Sequence, residues 1–339
     1  MEVIGLDIGH STVKVAAGGK HIIFPTAAAP AVDLYLAEDV KHAAGDVARV
    51  GGREYFVGRS ALIHTNGNLV DGLRDDWIES DEHQALMASG FRRAVKELGS
   101  TDVMLVMGLP SRLFGRQKER LVELAVMQLG LDRERVRVIP QPLGAFMSAV
   151  LDASGDVNAK EARRVDGRWG VIDIGYYTAD YGLVDSGVWS AAGSHSQPGA
   201  NHIAADLRRR IDAEKGISLS LREADQALEA KSAKHMGEVI DLEKLVDACA
   251  QSYARQVIDY GAQVFGERIN TLDGILIAGG AADLIYPYLR NVWKHASTAE
   301  SARFTIAEGM RRYGLFRLAE EGNVKQPAKR EKKSAEAAT

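Results

Sequence analysis

Short apolar runs broken by glycine and polar turns recur at both ends of the chain, and helical periodicity fills the stretches between them. Val3-Ile4-Gly5-Leu6 runs into Asp7, the turn Gly9-His10-Ser11 follows, and Val13-Lys14-Val15 returns. The pattern predicts a strand over 3–8, a tight turn and a second strand over 13–17. From about 30 to 80 the texture changes to short apolar pieces among Gly, Asp and Asn. There Gly51-Gly52 separates two apolar runs and predicts a hairpin inside a small inserted subdomain. Apolar residues at Leu86, Met87, Phe91, Ala94, Val95 and Leu98 fit one face of a helix over 82–98, with Asp81 as N-cap and Gly99 as stop. The unbroken run Val103-Met104-Leu105-Val106-Met107 predicts a buried central strand. A helix over about 114–129 and a strand over 136–139 follow, and Pro142 suits the first turn of the next helix.

After a polar stretch over 154–168, read as a loop between halves, the opening pattern starts again. Val171-Ile172-Asp173-Ile174-Gly175 and Thr178-Ala179-Asp180-Tyr181-Gly182 predict another strand, turn and strand, with a third short strand at 188–191. Residues 193–200 read as a Gly/Ser loop leading into a helix over 201–214, and helix-favouring residues dominate 220–268. A buried strand from Gly274 stops at Gly279-Gly280, a helix lies near 283–291, and a last helix spans 309–322. The Lys/Glu/Ala-rich end has no apolar period and is expected to be disordered. Aligning Asp7-Ile8-Gly9 on Asp173-Ile174-Gly175 places Thr12 on Thr178, a constant offset of 166 residues. Two turns with the same Asp, Gly and hydroxyl predict two similar halves facing each other across a cleft.

Composition narrows the class. At 339 residues the chain exceeds the usual size of one core, which predicts two domains. Hydrophobic residues at 46% and charged residues at 26% are ordinary for a soluble globular protein. The net charge of -4 gives no reason to expect strong direct nucleic-acid binding. One cysteine, Cys249, excludes an internal disulfide, and in its helical pattern it reads as a small core hydrophobe rather than a nucleophile. Glu2 and Asp7 interrupt any leader-like opening, and no run of 18 apolar residues exists, so a cytoplasmic protein with no direct membrane contact is expected. The nine histidines show no ligand spacing, so no transition-metal site is expected.

The two turns carry the candidate chemistry. A nucleoside triphosphate with Mg²⁺ needs backbone N–H donors around its phosphates, a cation on their charge, and carboxylates for the water shell of the metal. Gly9, Ser11 and Thr12 offer donors from one side, and Gly175, Tyr176 and Thr178 from the other. Asp7 and Asp173 end their strands facing the same cleft, and Lys14 lies where the returning strand brings its ammonium back. Each Asp-x-Gly could instead merely shape a hairpin, a reading that the second copy weakens. Gly279-Gly280 either permits a sharp turn into a helix or lets a base and ribose lie against the backbone. His10 sits in the first turn, either near phosphate or as an ordinary exposed turn residue.

Taken in order, the Asp-x-Gly hairpin, Pro140-Gln141-Pro142-Leu143-Gly144-Ala145, the second Asp-x-Gly-x-x-Thr-x-Asp, Ile277-Ala278-Gly279-Gly280 and Glu308-Gly309-Met310-Arg311-Arg312-Tyr313-Gly314 resemble the actin, sugar kinase and Hsp70 ATPase superfamily. Val106-Met107-Gly108-Leu109-Pro110 and the second turn resemble most the ParM/StbA group, bacterial actin-like proteins of plasmid segregation. The likeness covers about residues 1–320. It implies an α/β, actin-like (ribonuclease H-like) duplicated two-domain fold with a nucleotide cleft between the halves. Domain I would span 1–165 with an insert at about 30–80, domain II 166–308, a helix over 309–322 would return to domain I, and 323–339 would be a tail.

The resemblance also implies roles. Asp7 and Asp173 match the metal-associated acids, Lys14 the phosphate-contacting lysine, and Gly279 and Gly280 the nucleoside-contacting glycines. Gln141 matches the residue that positions the attacking water, and as an amide it would orient that water rather than take its proton. Pro198-Gly199-Ala200 departs from the Gly-Gly of Hsp70-like members, and Tyr176 and Tyr177 replace small residues frequent in the second turn. The implied activity is Mg²⁺-dependent hydrolysis of ATP or GTP coupled to a polar filament of identical copies, with a DNA-binding adaptor at a plasmid centromere-like site. Two other functions of the same fold stay open. One is a small-molecule kinase or phosphatase, for which Asp180 is the tempting acid; the other is a non-polymerising scaffold or chaperone-type ATPase.

Overall fold

The computed structural model describes residues 1–65, 75–158, 160, 162–298 and 303–324. The tail expected to be disordered lies, from residue 325 on, outside the described residues, as does 66–74 of the inserted segment.

In β1 (Glu2–Ile8) the residues from Val3 to Asp7 are all buried, as expected of a strand covered on both faces. It pairs antiparallel with β2 (Thr12–Ala17), which pairs with β3 (Lys20–Pro25). A small unit follows: β4 (Ala28–Pro30), α1 (Ala37–Ala43), β5 (Val47–Val50), β6 (Arg53–Val57) and α2 (Arg59–His64). Its three strands lie in the order β4-β6-β5, with the expected Gly51-Gly52 hairpin turn. In α3 (Asp81–Leu98) the cap is Ser80, whose hydroxyl accepts from the His83 N–H. Asp81, expected to be the cap, instead accepts from the Tyr55 hydroxyl at 2.6 Å.

Next come β7 (Val103–Leu109), α4 (Ser111–Leu129), which begins earlier than its apolar period suggested, β8 (Val136–Pro140), α5 (Gln141–Val150) and α6 (Ala162–Val165). Strands β7 and β8 add parallel to β1, so the first sheet reads β3-β2-β1-β7-β8.

The second half repeats this plan. Its strands β9 (Arg168–Ile174), β10 (Thr178–Asp185), β11 (Val188–Pro198), β14 (Gly274–Ala278) and β15 (Ala296–Thr298) lie in the order β11-β10-β9-β14-β15. Both sheets thus have an antiparallel three-strand meander and two parallel strands added beside the first. The register repeats as well: Asp7 lies opposite Lys14 in one sheet and Asp173 opposite Asp180 in the other.

Helices α7 (Asn201–Lys215), α8 (Leu221–Ala230), α9 (Glu243–Phe265) and α10 (Ala282–Val292) cover the second sheet. Two expectations fail here. The Gly/Ser stretch after 193 is strand up to Pro198, because a register shift opposite Tyr181–Leu183 lets β11 stay paired to β10 beyond its first short run. The helical region is interrupted by a hairpin of β12 (Ser232–His235) and β13 (Glu238–Asp241), whose turn has positive φ at Met236 and Gly237. The last helix, α11 (Thr305–Val324), starts earlier and ends later than the expected 309–322.

Each sheet has its own hydrophobic cluster, and a third one joins them. Val3, Met104 and Val106 from the first sheet share it with Val171, Leu276 and Ala278 from the second, with Phe146 of α5 and Met310 of α11 among them. The two helices cross with backbones touching: a Cβ on Gly309 would lie 1.7 Å from the Gly144 carbonyl oxygen. Only glycine fits there.

Candidate functional site

The ends of β1, β9 and β14 open into one cavity of about 980 Å³. Ligands of α/β folds bind beyond the carboxyl ends of strands in this way. Asp7, Gly9, Ser11, Thr12, Lys14, Gln141, Asp173, Gly175, Tyr176, Thr178, Gly279 and Gly280, singled out from sequence, all line it. They come from both halves of the chain.

The two turns are built alike. A Cβ on Gly9 would stand 3.0 Å from the Thr12 carbonyl oxygen, and one on Gly175 3.0 Å from that of Thr178. Thr26 hydroxyl donates to the Gly9 carbonyl, and the Gly175 N–H to the Thr178 carbonyl at 2.9 Å. The segment that departs from Hsp70-like members has a visible task. The N–H groups of Gly199, Ala200 and Asn201 donate to the carbonyls of Tyr177, Gly175 and Tyr176 at 2.8, 2.9 and 2.8 Å. The second turn is thereby held by the residues at the start of α7, which take up its carbonyls.

Asp7 is 1% exposed. One of its oxygens accepts from Gln141 Nε2 at 2.9 Å and the other from Lys14 Nζ at 3.2 Å. Gln141 is the first residue of α5, directly after the strand β8, and Pro142 fits the first turn, whose N–H groups need no helical partner. Gly108 leaves the room it needs, since a Cβ there would come within 2.8 Å of Gln141 Cγ.

Asp173 differs. It is buried, and its Oδ1 has no hydrogen-bond partner. Burial, then the nearby carboxylates of Asp180 and Asp7, push its pKa well above the usual range, against the pull of Lys14. Such an orphaned oxygen calls for a partner from outside the chain, a water or a cation. Among the described residues no group of three or more His, Cys, Asp or Glu could hold a bare metal ion. The two carboxylates in one cavity, one with an unpartnered oxygen, fit a cation of the Mg²⁺ type, which keeps most of its water and takes its remaining ligands from phosphate.

Asp180 was the candidate acid for a kinase. It is buried and accepts from the hydroxyls of Thr178 at 2.8 Å and Ser196. Burial raises its pKa, and these hydroxyls oppose the rise. It occupies in the second sheet the place of Lys14 in the first, with opposite charge. The 166-residue offset already contained this pairing; the change of residue hid it.

The two readings of Gly279-Gly280 divide between the residues. Gly279 has φ +95°, and a Cβ on it would lie 2.4 Å from the Ile174 carbonyl oxygen and 2.5 Å from Asp173 Oδ1. It serves the close approach of β14 to the end of β9. Gly280 has nothing within 4 Å of a built Cβ, so its open side belongs to the cavity.

His10, for which the sequence leaves two readings open, also lines the cavity. His10 stacks on Trp77 with centroids 4.7 Å apart and meets the edge of Tyr177 at 5.0 Å, so an aromatic contact joins the two turns across the cleft mouth. At the far end Lys231 pairs with Glu243 and Arg303 with Glu229, both at 2.9 Å, beside Asp225, whose pKa is raised by burial and then by Glu229. Asp225 and Glu229 lie one turn apart on α8 and Lys231 caps that helix, whereas Glu243 of α9 and Arg303 ahead of α11 reach them only in the folded chain. Cys249 is buried, and its thiol is pushed up to about 12 by burial and by Asp206, which fits a core role.

No helix among the described residues is long and apolar enough to cross a membrane. No curated protein matches the sequence. The fold has many relatives. A 15-stranded ParM filament from Clostridium botulinum superposes with a TM-score of 0.72 at 20% identity, covering 92% of this chain and 98% of that chain. An archaeal actin homolog in complex with ADP gives 0.68 at 19%, covering 95% and 100%. The actin-like protein Alp7A gives 0.71 at 15%, covering 96% and 99%. Family models for the N-terminal domain of actin-like proteins and for the C-terminal part of archaeal MreB-like actin homologues match residues 5–144 and 171–291, one in each half. The chain is a member of the actin-like superfamily.

Proposed function

We propose that this protein is an actin-like nucleotide hydrolase of the ParM type, using Mg²⁺ with ATP or GTP and assembling into filaments in a nucleotide-dependent way. The observation that carries the reading is the meeting of Asp7 and Asp173, from equivalent strand ends of the two halves, with Gln141 bonded to Asp7 in the same cleft. An archaeal actin homolog of the same fold was crystallised with ADP, which supports the nucleotide reading.

Each group then has a task. Bound Mg²⁺ supplies charge neutralisation at the β- and γ-phosphates. Asp7 and Asp173 hold its water shell; Lys14 and the turn residues Gly9, Ser11, Thr12, Gly175, Tyr176 and Thr178 hold the phosphates; Gly280 lies against the nucleoside, and Gly279 shapes the turn that presents it. Gln141 orients the attacking water. As a neutral amide it has little basicity, which suits slow turnover timed to assembly.

On this reading the mobile units are domain I (1–165, with the insert at about 30–80) and domain II (166–308). Nucleotide drawn in by both turns favours the closed arrangement, and loss of the γ-phosphate releases it. A closed subunit presents complementary head and tail surfaces, and contacts of that kind extend into a polar filament. A ParM of the same fold forms a filament, which supports this step. The filament would act in the cytoplasm on plasmid DNA through a DNA-binding adaptor at a centromere-like site. The kinase alternative is disfavoured by Asp180, whose oxygens are taken by Thr178 and Ser196.

Right-angle light scattering and negative-stain microscopy with Mg²⁺-ATP and Mg²⁺-GTP, run with phosphate-release assays, test the proposal. Filaments that appear with triphosphate and fade as phosphate accumulates are expected. Hydrolysis with no assembly at concentrations well above micromolar would leave the non-polymerising ATPase reading in its place.

A further inference from the structure

Among the described residues, the buried carboxylate, ammonium and guanidinium groups that do not line the cavity are Glu308 and Arg311. They lie where α5 crosses α11. Arg311 grips both oxygens of Glu308, at 3.0 Å through Nε and 2.7 Å through Nη2, and Arg312 Nε donates to the same carboxylate at 2.9 Å. Burial works against this carboxylate being charged, yet the two guanidinium groups overcome it and hold its pKa down at about 2.

The rest of the two fork-shaped side chains is aimed at backbone. Arg312 Nη1 donates to the carbonyls of Ser148 and Leu151 at 2.8 and 2.6 Å, and Arg311 Nη2 to that of Ala153 at 2.9 Å. Carbonyls at a helix C-terminus lack partners and carry the negative end of the helix dipole, so guanidinium groups suit that place. The cluster thereby fastens the last turn of α5 and the chain just beyond it.

At its other end α5 begins with Gln141, on Asp7. A ten-residue helix is a rod of about 15 Å. This one has little lateral freedom, since Gly144 and Gly309 bring its backbone against α11. The fastening at its C-terminal end therefore sets how far it can slide or turn about its axis. Stability alone is a poor reason to bury such ions, because apolar replacements are commonly as stable.

We propose that Glu308, Arg311 and Arg312 are positioning residues which, through α5, fix where Gln141 stands against Asp7, and so govern hydrolysis rather than nucleotide affinity. The proposal rests on the nucleotide-hydrolase reading above for its kinetic part.

The test compares wild type with Arg312→Ala, Arg312→Lys and, as a control in an exposed pair on the same helix, Arg317→Ala. Affinity for a fluorescent nucleotide and single-turnover phosphate release are measured on each. The side-chain amide resonance of Gln141, identified by its loss in Gln141→Glu, is followed without nucleotide. Arg312→Ala is expected to slow hydrolysis roughly tenfold to a hundredfold, as a misplaced catalytic group does. Affinity stays within about twofold, the separation expected of a group that acts on turnover alone. Arg312→Lys, which keeps the charge and loses the fork, falls between, and the Gln141 amide shifts in both but not in the control. Unchanged hydrolysis with an unmoved amide overturns the proposal. So does a loss of hydrolysis matched by equal loss of affinity and of folded signal in circular dichroism. If wild type neither binds nor hydrolyses nucleotide, the hydrolase reading falls instead, and the amide resonance still decides whether the cluster positions Gln141.

Discussion

Gln141 and Asp7 are 134 positions apart in the chain, and Gln141 Nε2 donates to Asp7 Oδ1 at 2.9 Å. The same carboxylate takes Lys14 on its other oxygen. On the proposed reading, a water held by the Gln141 amide would be linked to Asp7 through that side chain. Gln141→Ala removes the amide and leaves Asp7 and Lys14 paired. Phosphate release is expected to fall by about one to two orders of magnitude, the usual range for loss of a group acting in proton transfer or water orientation. Nucleotide affinity, read by fluorescence titration, should hardly move.

Asp173 carries an oxygen with no partner in a buried place. Keeping a carboxylate there costs stability in the ligand-free protein. Asp173→Asn is expected to raise the ligand-free melting temperature, by an amount equivalent to roughly 1 kcal/mol. It should also remove the Mg²⁺-dependent part of nucleotide binding. Calorimetric scans with and without Mg²⁺-nucleotide check both. A variant that melts lower and still hydrolyses normally would sink this account of the acid.

The adjacent glycines should respond differently. Gly279→Ala forces a Cβ to within 2.4 Å of the Ile174 carbonyl oxygen at a φ of +95°, so a loss of a few kcal/mol in urea unfolding is expected. Gly280→Ala meets open space. It should keep stability within about 1 kcal/mol, the Gly-to-Ala backbone effect, and weaken nucleotide binding by crowding the cavity.

Glu308 gives a pH signature. Its pKa falls from the ordinary 4.5 to about 2 on folding, so its contribution is complete above about 4.5 and is lost as pH falls toward 2. The stability difference between wild type and Glu308→Gln, from urea unfolding at pH 6, 4.5 and 3, should be largest at pH 6 and shrink steadily below 4.5. A difference that stays constant down to pH 3 would mean that the two arginines do not hold the charged form.

Much of the site was legible because the residues that form it sit in local, repeated strand–turn–strand patterns. The 166-residue offset makes Asp7 and Asp173 equivalent, and both line the one cavity. Asp180 stood in the same offset opposite Lys14, yet its role depends on Thr178 and Ser196 hydroxyls, the second of which arrives on a strand read partly as loop. The misread stretches share a cause. Residues 193–198 and the hairpin of β12 and β13 take their form from pairing with neighbouring strands, and their own composition favours loop or helix.

Sequence alone determined the duplicated strand, turn and strand, the acids at the strand ends and the order of the motifs, because apolar alternation and turn glycines act over a few residues. Tertiary structure decided which of these groups touch. It left Asp173 unpaired while giving Asp7 two partners, and it split Gly279 from Gly280. It also brought Glu308, Arg311 and Arg312 to the end of the helix that begins with Gln141. Those outcomes depend on distances between residues far apart in the chain, which are set only when the two sheets close on α5 and α11 and exclude water from the charges between them.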